Sequence, residues 1–83
     1  MATDLIEQII VDGLNATGIP FKRDVNDYNF YFTGLGVYIE IKQYYSPRIA
    51  WQMSRADALI LIQGRRAAEL FAKLLKDSGA TSW

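Results

Sequence analysis

The spacing of apolar positions changes several times along this chain, and each change marks a structural element. Leu5, Ile6, Ile9, Ile10 and Leu14 recur at the spacing of one helical face. Asp4 and Glu7 resemble a capping box at the start of that helix, and Thr17-Gly18-Ile19-Pro20 breaks it near Ala16. Residues 21–25 read as a short first strand, with Asn26 and Asp27 as a turn or the entry to a second. The aromatic-rich stretch 28–33 and the alternating stretch 37–43 read as strands on either side of Gly34-Leu35-Gly36. Glycine at the first loop position predicts a two-residue type II′ turn at Gly34-Leu35.

Ser46-Pro47 predicts a helix start, serine as cap and proline in the first helical position. Ile49, Ala50, Met53 and Ala56 are expected to face inward, with Arg48, Gln52 and Arg55 on the opposite or flanking face. The unbroken apolar run at 58–63 predicts a central strand buried on both faces. Gly64 ends it, and 65–76 predicts a last helix with Ala67, Ala68, Phe71, Leu74 and Leu75 inward. Lys76 and Gly79 suit the end of that helix. Residues 80–83 read as a frayed tail unless Trp83 docks onto a second subunit.

The chemistry concentrates in the strand 37–43. Successive side chains take opposite faces, so Val37, Ile39 and Ile41 point one way and Tyr38, Glu40 and Lys42 the other. A buried charge needs a partner or a ligand. With Gly34-Leu35 as the loop, Thr33 pairs with Gly36, Tyr31 faces Tyr38, Asn29 faces Glu40 and Asp27 faces Lys42. Directly opposed residues lie about 4.5–5.5 Å apart, close enough for Asn29 and Glu40 to reach one small ion together. A cross-strand ion pair is the plainer reading of Asp27 and Lys42.

An acid, a tight turn and then Glu-x-Lys resembles the PD-(D/E)XK nuclease superfamily. The predicted order αβββαβα resembles its minimal core, especially small phage and archaeal Holliday-junction resolvases and compact VRR-type nucleases. That likeness covers nearly the whole chain. It implies a single α/β domain over residues 1–83 with a restriction-endonuclease-like core, a mixed four-stranded sheet flanked by helices. It also implies metal-dependent phosphodiester hydrolysis with Mg²⁺ or Mn²⁺. Glu40 matches the second acid of the motif and Lys42 its lysine, which positions or activates the attacking water. Glu7 resembles the extra acid that several resolvases place near the metal, and Gln52 the glutamine of some relatives.

One position departs from that pattern: Asn29 stands where the family has aspartate. An amide oxygen can ligate a hard cation but brings no charge. Asp24 and Asp27 are the nearby acids. Three accounts stay open: Asp27 is the motif acid and metal ligand, the site is naturally degenerate, or Asn29 is an introduced change that disables cleavage.

Composition narrows the chemistry. The 83 residues contain no cysteine and no histidine, which excludes disulfides, thiolate metal sites, zinc triads and histidine bases. Nine basic and nine acidic residues balance, arguing against a general DNA-coating protein. Lys42, Arg48, Arg55, Arg65 and Arg66 nevertheless gather in the second half, where they can include a phosphate-contacting set. Trp51, bulky among polar neighbours, is a candidate dimer or DNA contact. Tyr31 and Tyr38 would wall the pocket, and Tyr44 and Tyr45 would stack on bases or line an interface. No apolar run reaches the roughly 20 residues of a membrane span, and no basic leader opens the chain, so a cytoplasmic protein is expected. The resemblance places it in a bacterium or a phage-infected cell.

The resulting expectation is a metal-dependent endonuclease acting on branched or structured DNA, impaired as written by Asn29. Glu40, Lys42 and Asn29 would be its catalytic residues; Glu40, Asn29, Asp27 and Glu7 would be its metal ligands. Arg48, Gln52, Arg55, Tyr44 and Tyr45 would contact nucleic acid. A small domain cutting a two-stranded junction implies a homodimer. The alternatives are a non-catalytic DNA- or protein-binding module on the same fold, and a purely structural interaction module.

Overall fold

The helical stripe at the start of the chain folds as α1 (Ala2–Thr17). Three strands follow: β1 (Phe21–Val25), β2 (Tyr28–Phe32) and β3 (Val37–Lys42). Then come α2 (Arg48–Arg55), β4 (Leu59–Gln63) and α3 (Gly64–Asp77). This computed structural model describes residues 2–44 and 46–79, with side chains from Leu5 onward. The expectations for Tyr45 and for a tail at 80–83 lie outside the described residues. α1 runs from Ala2, so Asp4 lies within its first turn, and the expected capping role of its side chain falls outside the described side chains.

The sheet is mixed, with strand order β1-β2-β3-β4. β1, β2 and β3 are antiparallel neighbours, and β4 returns through α2 to lie parallel to β3. Asn26 and Asp27, both at positive φ (51° and 70°), form the two-residue turn between β1 and β2. Those are residue types that tolerate the left-handed region a type I′ turn requires.

The β2–β3 connection is not the expected two-residue turn. Phe32 and Val37 form the last pair, and residues 33–36 make a four-residue loop closed by the Gly36 N–H on the Phe32 carbonyl (2.8 Å). Gly36, not Gly34, takes the positive φ (69°). Thr33 and Gly36 therefore do not pair, yet the register is the expected one, since the longer loop reverses the chain about the same midpoint.

α1 and α3 cover one face of the sheet. Ile10, Leu14, Phe30, Phe32, Ile39 and Leu75 are fully enclosed there. The helices approach closely at Gly13, where an added Cβ would lie 2.9 Å from the Ala72 Cβ. Three inward assignments are corrected. Leu5 is exposed, while Val11 joins the core. Leu74 is 66 % exposed, and Ala72 takes the buried position beside α1. β4 is an edge strand, not a central one; only Ile62 is buried, while Ile60 and Leu61 are exposed.

α2 also differs from expectation. Pro47 itself occupies the cap position with no side-chain cap bond, and Ser46 contributes only its carbonyl, to the Ile49 N–H. The buried face differs in part: Ile49 and Ala56 are half-buried, but Met53 and Ala50 are exposed, and the fully buried residue is Gln52, 1 % exposed. Among the described residues no helix is long and apolar enough to cross a membrane.

Candidate functional site

The site forms where β2 and β3 part. Their ladder runs from Phe32–Val37 only to Phe30–Ile39. Beyond it β3 continues alongside β4 as far as Lys42, while β2 stays with β1. The β1–β2 ladder skips the Asp24–Asn29 position, where Asp24 adopts φ 54°. Side chains take over in the gap. The Asn29 backbone N–H donates to Glu40 Oε1 (3.1 Å), and Asn29 Oδ1 accepts from the Ile41 N–H (2.7 Å). Two backbone donors that a regular ladder would pair with carbonyls are thus satisfied by an acid and an amide.

Glu40 alternates with Ile39 and Ile41 and so turns to the face opposite α1 and α3. It is only 5 % exposed. Its Oε2 accepts from Gln52 Nε2 (2.9 Å) and lies 3.0 Å from Lys42 Nζ. Gln52 also donates to the Asp27 carbonyl (2.9 Å), and Tyr28 Oη donates to the Gln52 carbonyl (2.6 Å). α2 is thereby tied to the sheet through polar contacts. Gln52 Oε1 is buried with no hydrogen-bond partner among the described residues.

From the other side α1 contributes Glu7. Its Oε1 accepts from Asn29 Nδ2 (2.7 Å), and its Oε2 is paired with Arg23 of β1 (3.1 Å). A chain of contacts therefore runs Arg23–Glu7–Asn29–Glu40–Lys42, with Gln52 bridging to α2. Two carboxylates are balanced by two cations, and each carboxylate oxygen has a donor.

Two clefts meet at this centre. Asn29 and Glu40 line both: one of about 310 Å³ is completed by Asp24, Asp27 and Tyr28. The other, about 450 Å³, is completed by Ile41, Lys42, Gln43, Tyr44 and Ser46.

Of the expected site residues, Glu7, Asn29, Glu40 and Lys42 come together. Asp27 does not face Lys42; it lies in the turn, and its carboxylate is 3.4 Å from Arg48. Gln52 is buried, not at the surface where a nucleic-acid contact was expected, and its Nε2 donates to Glu40 and to the Asp27 carbonyl. Tyr38 accepts from Asn26 Nδ2 (2.8 Å) and stacks between Tyr28 and Tyr31, ring centroids 4.4 and 4.7 Å away. Tyr28 walls the first cleft, the place expected for Tyr31 and Tyr38. Arg48 and Arg55 each lie 4.9 Å from the exposed Trp51 ring.

Sequence reasoning missed Arg23 and Tyr28 altogether. Arg23 sits in the polar run Lys22-Arg23-Asp24, which marks no member as special, and Tyr28 is one aromatic among several.

A divalent cation of the Mg²⁺ class takes oxygen ligands. Among the described residues no group of three or more acidic, histidine or cysteine side chains is arranged to hold a metal. Asn29 turns its oxygen to the Ile41 N–H and its NH₂ to Glu7, so it offers a donor where a ligand would be required. The residues present do not fit a cation bound through position 29.

No family model matches this chain, and no curated protein or solved structure matches it either. Its function is therefore read from the geometry.

Proposed function

We propose that this chain is a nuclease-type domain of the PD-(D/E)XK kind that engages branched or structured DNA and is impaired in cleavage by Asn29. The observation that carries this reading is the meeting of Glu7, Asn29, Glu40, Lys42 and Gln52, from four separate elements, at the junction of two clefts. A core that needed only burial would fill the gap between two strands with apolar side chains. Here it holds two acids and an amine beside open space, the residue types that the PD-(D/E)XK likeness implies for phosphodiester chemistry.

Within that reading Lys42 supplies positive charge at the cleft beside Tyr44, where a phosphate oxygen would be drawn in. Gln52 and the Asn29 N–H orient Glu40. Arg48 and Arg55, one on each contact with Trp51, offer a cationic and aromatic surface suited to stacked bases and their phosphates. Mg²⁺ or Mn²⁺ is implied by the family likeness, and we assign cation-dependent cutting to the aspartate form of residue 29. A homodimer is supported by the unpaired edge of β4 and by exposed Ile60, Leu61, Leu70 and Leu74. A cytoplasmic location in a bacterial or phage-infected cell belongs to the same proposal.

The test compares four-way-junction binding and cleavage, with Mg²⁺ or Mn²⁺, by the chain as written, by Asn29→Asp and by Asn29→Asp/Glu40→Ala. The expected result is binding by all three and efficient cutting by Asn29→Asp alone. Trp51→Ala should weaken binding by about tenfold, a loss typical of one stacking residue. Binding without cutting by any form would favour the second reading, a non-catalytic binding module. That reading is supported by the hydrogen-bond closure of both acids. Neither binding nor cutting would end both.

A further inference from the structure

We propose that the Asn29 carboxamide stands in for a cation. Its NH₂ donates to Glu7 while the backbone N–H of the same residue donates to Glu40, so the chain keeps its acid pair without a divalent ion. Aspartate at 29 would set its carboxylate against Glu7 and turn that pair into a cation-requiring site. This inference uses the layout of the preceding reading, and its test does not depend on cleavage.

The orientation of the amide is dictated by its partners. Nδ2 lies 2.7 Å from Glu7 Oε1, and Oδ1 lies 2.7 Å from the Ile41 nitrogen. Reversing it would set oxygen against carboxylate and NH₂ against N–H, two repulsive contacts in place of two hydrogen bonds. An aspartate in this rotamer keeps the bond to Ile41 but brings a second carboxylate oxygen against Glu7. Two carboxylates so close cannot both remain ionised without a shared proton or a cation. The existing cations do not serve, because Arg23 and Lys42 are paired to the far oxygens, Glu7 Oε2 and Glu40 Oε2. Glu7 Oε1 and the new carboxylate oxygen would then offer the paired oxygen ligands that Mg²⁺ and Mn²⁺ take, with the backbone N–H of residue 29 still holding Glu40 Oε1.

Thermal unfolding and calorimetric titration with Mn²⁺ test this on the full chain. The chain as written should melt at the same temperature, within about 1 °C, in EDTA and in excess Mn²⁺. Asn29→Asp should melt roughly 10 °C lower in EDTA and regain most of that loss with Mn²⁺, binding one ion per chain. Adding Glu7→Gln to Asn29→Asp restores an NH₂ donor between the two side chains. That double variant should melt like the parent in EDTA and ignore Mn²⁺.

A parent stabilised by Mn²⁺ as much as Asn29→Asp would overturn the inference, as would an Asn29→Asp form indifferent to Mn²⁺. If Asn29→Asp does not fold in EDTA, the double variant decides. Its folding supports the carboxylate clash, and its failure in both media refutes it. Mn²⁺-dependent stability of Asn29→Asp without any cleavage leaves this inference standing and removes the nuclease reading. Cleavage by a parent that Mn²⁺ stabilises does the reverse.

Discussion

Lys42→Met should destabilise the domain by about 3 kcal/mol. The ammonium lies 3.0 Å from Glu40 Oε2, and the two side chains are 19 % and 7 % exposed. At that distance, with an effective dielectric near 20, the gross attraction is about 5 kcal/mol. Removing one partner of a buried pair typically costs about 3–5 kcal/mol, because the other charge stays behind. The low end applies here, since Glu40 keeps the Asn29 N–H and the Gln52 amide and water reaches the lysine. A chain of 83 residues has a total stability of about 4–12 kcal/mol, so the loss is a large share of it. The melting temperature should fall by roughly 15 °C.

The assay is urea denaturation of the parent, Lys42→Met, Glu40→Gln and the double variant. Unchanged m-values would license the comparison. Glu40→Gln is itself costly, because its NH₂ must face either the Asn29 N–H or the donors of Gln52 and Lys42. The two substitutions should therefore couple by about 2 kcal/mol. A coupling under about 0.5 kcal/mol, the size of an exposed pair, would mean that Lys42 does not hold Glu40 and that the site geometry is wrong.

Three further outcomes follow from other contacts. Gly13→Val should cost about 2–3 kcal/mol in the same denaturation assay by forcing α1 from Ala72, and Gly13→Ala combined with Ala72→Gly should recover close to parent stability. Tyr28→Phe should cost about 1–2 kcal/mol by deleting the buried bond to the Gln52 carbonyl, and should leave the fold intact by circular dichroism. Lys73 should titrate above the ordinary lysine value of 10.5, chiefly because its ammonium donates to Asp77 and secondarily because of that carboxylate's charge. A raised folded pKa means this contribution is present below pH 10.5 and is lost as pH climbs through the folded value. Side-chain NMR of Asp77→Asn should show Lys73 back near its ordinary value.

What local pattern alone determined was the order of elements and the meeting of positions 29 and 40. Both depend on short-range constraints: the helical and strand periods, and the midpoint about which a hairpin reverses. The expected loop type was wrong and the register still right, because a four-residue loop about the same midpoint opposes the same residues. The choice of buried face was not local. The apolar run of β4 reads as a central strand, but the sheet ends there and leaves Ile60 and Leu61 38 % and 40 % exposed. Gln52 reads as a surface residue between Arg48 and Arg55, yet it is buried where Glu40 and the Asp27 carbonyl need a donor. Burial depends on what lies across the gap, and only the assembled sheet and helices supply that.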